Sequence, residues 1–344
     1  MSRKTSTVTA ILSDAVESEE RELVAHLRAA SPIWDLIEYH LGWGGPEGGP
    51  KARPGKRVRP LLCLLVNQAL GGEVAPVLPL AAALELLHNA ALIFDDIQDS
   101  GAVRRGRPAL WRVCGVPQAM NVGVAIQGLV SAAAARAMTA GLPPERVVGA
   151  VEELGQCTLR LCEGQFQDLS FQSGVRPSID DYMRMCGAKT ASLLATGAYL
   201  GAYAAGRDDV SEAARRLGYH LGMYLQIEDD IAGIWGDASA MGKAAADLES
   251  RKKTLPLLYM FQLDDAPTEV AALARRFFSP EALPDEEMCR LRQYAVDLGG
   301  RAYADEMAGF HRDLSRRALE DLGVGRSDLL VMLDELAASL VAAV

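Results

Sequence analysis

Basic residues are in the minority in this chain, with 35 Lys and Arg against 45 Asp and Glu and a formal charge of −10. No basic stripe runs along it, which argues against nucleic acid as a partner and against docking on an anionic bilayer. Paired cysteines are lacking too. The 6 cysteines, at 63, 114, 157, 162, 186 and 289, form no CxxC pair and share no zinc-type spacing with the 5 histidines. Free buried thiols in a reducing compartment are therefore expected. The most apolar run, Val77–Phe94, contains Glu85, His88 and Asn89 and ends at an acid pair, so it reads as a core helix rather than a membrane span. The opening MSRKTSTVTAILSDAVESEE is too acidic, and its apolar part too short, for a signal peptide. A cytoplasmic protein with no transmembrane segment is the expectation. Strand-type alternation and internal repeats are also lacking.

What the chain has in quantity is helix-forming sequence. Ala and Leu dominate, aromatics make up only 6%, and long stretches lack Gly or Pro. Residues 1–17 read as a loose N-terminal tail and Ser18 as an N-cap, with a break at Ser31–Pro32 and a Gly/Pro-rich connector over 42–55. Helices are predicted near 57–71, 76–99, 117–140, 144–172, 178–204, 210–235, 252–263, 267–278, 284–319 and 326–342. The reading is all-α: one domain over 18–344, a large bundle with ligand sites built from facing helices.

Two acidic stretches carry the chemistry. Asp95, Asp96 and Asp99 lie in DDIQD at the end of the apolar helix, where i, i+4 spacing lets Asp95 and Asp99 project side by side. Such a pair calls for a counter-charge, and oxygen ligands with few protein groups suit Mg²⁺. Asp229–Asp230, in YLQIEDDIAGIWGD, sits among Leu225, Ile227, Ile231 and Ile234, where a buried charge without a partner is strongly disfavoured. The doublets Asp180–Asp181, Asp208–Asp209 and Asp264–Asp265 read as surface. Basic groups cluster to match: Lys56, Arg57 and Arg59; Arg104, Arg105 and Arg107; Lys189 with Thr190; and Lys243, Lys252 and Lys253. Metal-binding acids ringed by Lys and Arg describe a polyphosphate site, because arginine forks and metals both take phosphate oxygens.

Over about residues 20–340 the sequence resembles the polyprenyl synthetase family, the trans-isoprenyl diphosphate synthases. The resemblance rests on PGKRVRP (54–60), ELLHNAALIFDDIQD (85–99), VRRGRP (103–108), CEGQFQDL (162–169), AKT (188–190), LQIEDDIAGIWGD (225–237), GK at 242–243 and RKKTLPL (251–257), in the family's order. It implies the isoprenoid synthase fold with a central apolar cavity, a homodimer, and condensation of isopentenyl diphosphate with an allylic diphosphate. It further implies three magnesium ions. Asp95 and Asp99, supported by Asp96, would hold two, and Asp229, supported by Asp230, the third. Arg104, Lys189, Thr190, Gln226, Lys243 and Lys252 would contact the allylic diphosphate. Lys56, Arg59, His88 and Arg105 would hold isopentenyl diphosphate, and Gln165 and Asp168 would lie near the reacting carbons.

The chain departs from the family pattern at three places. Gly233 stands where the second acid motif has its third Asp, Val124 where relatives carry Asp, and Phe94 where many have His. Family members stop elongation with bulky residues about one turn before the first motif, and here those positions are Ala90 and Ala91, with Leu87 and Leu84 deeper. Geranylgeranyl diphosphate is accordingly the expected main product. Two rival readings share the fold: a class I terpene cyclase, which needs no second diphosphate pocket, and a regulatory subunit of a partner synthase, which should lose metal ligands.

Overall fold

Long Ala/Leu-rich stretches between breakers fold as helices. The computed structural model describes residues 3–44, 55–172, 176–236, 246–279 and 283–324. The expected helix over 326–342, most of the 42–55 connector, and Lys243 lie outside them. The chain runs α1 (Arg3–Leu27), α2 (Ile33–Leu41), α3 (Val58–Ala69), α4 (Val74–Gln98), a hairpin of β1 (Val103–Arg104) and β2 (Arg107–Pro108), α5 (Leu110–Thr139) and α6 (Pro144–Gln172). It continues with α7 (Ile179–Cys186), a π-helical turn (Gly187–Ala191), α8 (Ser192–Ala204), α9 (Ser211–Trp235) and α10 (Ala246–Glu249). Last come α11 (Leu255–Phe261), α12 (Thr268–Phe277), α13 (Asp285–Asp297) and α14 (Gly300–Asp321).

The loose tail expected over 1–17 is corrected: α1 begins at Arg3, and Ser18 lies inside it rather than capping it. No Gly or Pro interrupts 3–27, and Leu12, Val16, Leu23 and Val24 return to one helical face and are buried. The Ser31–Pro32 break holds, with α2 starting at Ile33. The single helix expected over 284–319 is two, divided at Gly299, whose φ of 81° ends the run. The single helix expected over 178–204 is likewise interrupted, by the π-turn.

Two compact units are found where one domain was expected. One comprises the described residues up to Leu159 with Thr196–Arg215, the other Arg160–Ala195 with Arg216–Gly323. Their boundaries fall within α6, α8 and α9, so neither is one contiguous stretch of chain. In the first unit α4 is the central element, packed by α1, α3 and α5. Its Leu80, Leu84, Leu86, Leu87 and Ile93 are at most 2% exposed. In the second, Ile234, Leu248, Leu257, Met260, Leu273, Phe277 and Leu291 form a buried cluster.

By length and composition α4 and α5 could each cross a bilayer, but 72% of the apolar window of α4 is buried in the fold against 33% for α5. The α4 run is therefore core, as its polar residues imply. On α5, Val113, Val116, Met120 and Val124 remain exposed.

Candidate active site

Adjacent helical residues point about 100° apart, so the two members of an acid doublet cannot share a face. At the end of α4 the Asp95 side chain is 27% exposed and that of Asp96 only 4%. Asp99 closes the helix by donating its N–H to Asp95 O at 2.9 Å, and its side chain is exposed. Asp95 and Asp99 thus form the accessible pair, while Asp96 turns inward. There Arg104 grips it: Nε donates to both carboxylate oxygens at 3.1 Å and Nη2 to Oδ1 at 2.5 Å. Burial alone would lower the Arg104 pKa, but the Asp96 hydrogen bonds together with the charges of Asp96, Asp95 and Asp99 outweigh it, and the guanidinium is held more firmly charged than usual.

Arg104 owes its position to a hairpin that the sequence did not announce. Arg105 and Gly106 occupy its two central positions with φ of 53° and 80°, the positive pair that a type I′ turn requires. Gly106 meets that requirement without strain; Arg105 does not, and its side chain is anchored where Nη2 donates to Asn89 Oδ1 at 3.2 Å. Asn89 in turn donates to Glu85 O at 2.8 Å, and its carbonyl accepts from His40 Nε2 at 2.9 Å. Sequence reasoning gave Asn89, Glu85 and His40 no part in the site; for Asn89 and Glu85 the signal was their polarity within an apolar run.

The other basic residues of this unit are less well neutralised. Arg59 Nη1 donates to His88 Nε2 at 3.2 Å, whereas Arg59 Nε is buried with no hydrogen-bond partner. Burial lowers the pKa of both Arg59 and Arg105. Burial, then Arg59 and Arg105, push His88 well below the usual histidine range, so it is neutral and free to accept. Lys56 is exposed nearby in sequence. Arg57 is engaged differently, by Glu17 at 3.3 Å and buried Glu20 at 3.1 Å, and so ties α1 to the start of α3. Arg59, Arg105 and neutral His88 form a cation-rich site suited to an anion.

In the second unit, Gln165 and Asp168 lie on α6 and Lys189 and Thr190 on the π-turn. Lys189 Nζ meets Asp168 Oδ2 at 2.5 Å. Gly164 makes this approach possible: a Cβ there would stand 2.3 Å from Lys189 N and 2.7 Å from its Cα. A hydrogen-bonded relay follows. Thr190 Oγ1 donates to Gln226 Oε1 at 2.7 Å, and Gln226 Nε2 donates to Asp230 Oδ1 at 3.0 Å.

Asp229 and Asp230 diverge as the first doublet does, with side chains 60% and 1% exposed. Asp230 also accepts from Tyr182 Oη at 2.6 Å and from Leu255 N at 3.1 Å. Burial pushes its pKa up to about 6 against the opposing pull of Lys252, whose Nζ lies 3.7 Å from Asp230 and 4.0 Å from Asp229. Tyr182 is a further residue that the sequence reading passed over.

Asp96 and Asp230, expected as supporting metal ligands, are the inward acids: Asp96 accepts from Arg104, and Asp230 accepts from Gln226 and Tyr182 beside Lys252. Among the described residues no group of three or more His, Cys, Asp or Glu is arranged to hold a metal unaided. Asp95, Asp99 and Asp229 are the accessible carboxylates. Asp95 and Asp99 belong to the first unit and Asp229 to the second, and each offers carboxylate oxygens of the kind that hard cations such as Mg²⁺ take.

Of the expected chain-length residues, Ala90, Leu84 and Leu87 are buried in the core, and only Ala91 is partly open. Two surface pockets, one lined by residues such as Ile33, Leu36, Asn121 and Val124 and the other by Arg176, Leu258, Phe261 and Phe278, contain no expected site residue. The anticipated central cavity is neither of them.

The profile of the polyprenyl synthetase family matches residues 51–283. A geranylgeranyl diphosphate synthase of Mycobacterium tuberculosis is 37% identical over 306 residues, covering 88% of this chain and 85% of the relative. A (2E,6E)-farnesyl diphosphate synthase of Mycobacterium bovis is 32% identical, over 80% of this chain and 77% of its own length. The crystal structure of a polyprenyl synthetase from Streptomyces coelicolor superposes with a TM-score of 0.81 at 30% identity, covering 98% of this chain and 96% of that one.

Proposed function

This chain belongs to the polyprenyl synthetase family, and on that premise we propose that it condenses isopentenyl diphosphate with an allylic diphosphate, giving geranylgeranyl diphosphate as main product. The observation that carries this reading is the cation-rich cluster of Arg59 and Arg105 beside neutral His88. A cyclase ionises one diphosphate and has no use for a second anion site, whereas a condensing enzyme must hold two.

The roles follow from the chemistry of the groups. Lys56, Arg59 and Arg105 bind the diphosphate of isopentenyl diphosphate by charge-assisted hydrogen bonds. Arg104, Lys189, Thr190, Gln226 and Lys252 bind that of the allylic substrate, and Lys243 joins them on the strength of the family resemblance. Asp95 and Asp99 on α4 and Asp229 on α9 would hold Mg²⁺, which would supply positive charge to the leaving group. The allylic C–O bond breaks with its electron pair leaving on the diphosphate. The isopentenyl double bond then attacks the allylic carbon, and the new carbon–carbon bond forms as a proton is lost to the released diphosphate. Asp96 keeps Arg104, and Asp168 keeps Lys189, oriented toward developing charge, the kind of preorganisation that lowers such barriers.

Small Ala91, one turn before Asp95, supports a product longer than fifteen carbons, as does the resemblance to the M. tuberculosis enzyme. Exposed Val113, Val116, Met120 and Val124 on α5, with Val148, Val151 and Leu159 on α6, support a homodimer that covers them. The free cysteines support a reducing, cytoplasmic setting.

The deciding experiment incubates the protein with magnesium, labelled isopentenyl diphosphate and each allylic primer, and extracts products before and after phosphatase. A twenty-carbon prenol released only by phosphatase is expected. Direct formation of a hydrocarbon from a long prenyl diphosphate would make it a cyclase, and no product under any condition would leave a regulatory subunit. Sedimentation that shows a monomer at all concentrations would remove the dimer.

A further inference from the structure

Arg57 stands between Lys56 and Arg59 but takes no part in the anion site, and its backbone is left-handed, with φ of 46° and ψ of 35°. It is the last residue before α3, and its carbonyl accepts from Leu61 N at 3.1 Å, the bond that opens the helix. A residue with a Cβ is disfavoured in this region, so contacts outside the turn must hold it there. The reversal at Arg57 fixes how the exposed Lys56 leaves the helix that carries Arg59. Two residues earlier the chain passes the other cation of the site: a Cβ at Gly55 would stand 3.4 Å from Arg105 Nη2, in ordinary packing contact.

The contacts that hold the turn come from α1. Arg57 Nη2 lies 3.1 Å from Glu20 Oε2 and 3.3 Å from Glu17 Oε2, and Nη1 donates to the carbonyl of Ser13 at 3.4 Å. Positions 13, 17 and 20 follow the i, i+4, i+7 spacing of one helical face, so three residues of α1 converge on a single guanidinium. The Arg57 side chain is 10% exposed and that of Glu20 only 1%. Glu20 is costly to keep there. Its Oε1 has no hydrogen-bond partner among the described residues, and burial pushes its pKa up to about 8 against the pull of Arg57. A buried pair of this kind is a weak source of stability. What it does fix is the direction of the Arg57 side chain, and with it the turn.

We propose that Glu20 is a positioning residue for isopentenyl diphosphate: through Arg57 it holds the left-handed turn that presents Lys56 and Arg59. Helix α1 then acts on the substrate through the backbone of that turn, not through a contact of its own. This rests on the reading of Lys56, Arg59 and Arg105 as the isopentenyl diphosphate site. One consequence is specific to a conformational role. Glycine adopts the left-handed region without strain, so at position 57 it should serve better than alanine, although both lack the guanidinium.

The test compares Glu20→Gln, Arg57→Ala, Arg57→Gly and the double variant Glu20→Gln/Arg57→Gly. Glu20→Gln and Arg57→Ala are expected to raise KM for isopentenyl diphosphate about tenfold, while kcat and KM for the allylic diphosphate stay within about twofold. Arg57→Gly is expected to stay within about threefold of wild type, and adding Glu20→Gln to it should raise KM no further, because the carboxylate then has no guanidinium to direct. Calorimetric binding of inorganic pyrophosphate without magnesium should follow the same order, and it reads the cation site without turnover. Glu20→Gln preserves volume, so its KM split decides the matter if the Arg57 variants do not fold. Unchanged isopentenyl diphosphate KM in Glu20→Gln, an equal rise in both KM values, or Arg57→Gly as damaging as Arg57→Ala would each overturn the proposal. A wild-type protein whose variants bind pyrophosphate in the expected order, yet which forms no prenyl diphosphate, would instead overturn the proposed function and leave the role of Glu20 standing.

Discussion

Lys189 Nζ and Asp168 Oδ2 stand 2.5 Å apart, an ion pair that ties the π-turn to α6. Asp168 is 7% exposed, so its charge is held in a setting where screening is weak. Replacing Asp168 with Asn weakens the anchor without removing the cation. A fall in kcat/KM for the allylic diphosphate of about tenfold is expected, with a larger loss for Lys189→Ala. Steady-state kinetics with each substrate varied in turn check this, and equal damage to both KM values would count against it.

The two acids of the first doublet should respond differently to magnesium. Asp95→Asn and Asp99→Asn remove accessible oxygen ligands and are expected to raise the magnesium concentration needed for half-maximal rate by about tenfold or more. Asp96→Asn loosens Arg104 instead, so the rate should fall with little change in that requirement. A magnesium titration of the three variants separates these roles.

Gly164 sets how closely α6 approaches the π-turn. The added Cβ in Gly164→Ala would fall 2.3 Å from Lys189 N, too close to be relieved by side-chain movement alone. Overpacking of this kind costs about 1–3 kcal/mol. A lower Tm together with a raised KM for the allylic substrate is expected. A variant with wild-type Tm and kinetics would show that the turn yields easily.

Much of this was legible in the sequence. The i, i+4 spacing of Asp95 and Asp99 puts both on the accessible side of α4, while Lys189 bonds Asp168 and, separately, Thr190 bonds Gln226, which bonds Asp230. The doublets were the harder part. Sequence places two acids side by side, but which one turns inward depends on the rotation of the helix against its neighbours. The Arg104 hairpin has strands of two residues, too short to carry any alternation. Within 1–17 only Leu12 and Val16 mark the buried face of α1, too few positions to carry a helical period.

Chain length divides the two alanines before the first motif. Ala91 is partly open, whereas Ala90 is 1% exposed within the core. Ala91→Phe is expected to shift the product from twenty carbons to fifteen or fewer. Ala90→Phe is expected chiefly to lower Tm, because the ring must enter packed space. Product analysis of prenols by chromatography decides, and unchanged length in Ala91→Phe would refute the assignment.

Acid should destabilise the fold through its buried histidines. His40 is pushed down to about 3, first by burial and then by Arg105, and His311 to about 4 by burial and His220. Both are neutral when folded but take up protons when unfolded below about pH 6.5. Their contribution is whole above that value and drains away as pH falls toward 4, by about 1.4 kcal/mol per unit for each group. Glu20, pushed up to about 8 by burial, acts in the opposite sense and gives up stability as pH rises from about 4.5 to 8. His40→Gln can keep the hydrogen bond to Asn89 without a titrating ring, so its Tm should fall less steeply between pH 6.5 and 4 than that of wild type. Parallel curves would show that His40 does not govern the acid limb.

The π-turn at Gly187–Ala191 has one further consequence. A π-turn holds one residue more than the α-helix would, so everything after it is rotated by about 100° relative to an uninterrupted helix. Lys189 and Thr190 owe their aim to that surplus residue. Two homologous chains could therefore align here letter for letter and still present different side chains to the diphosphate, if only one of them keeps the wide turn. Removing Ala188 would not shorten the segment so much as change the frame in which α8 is read.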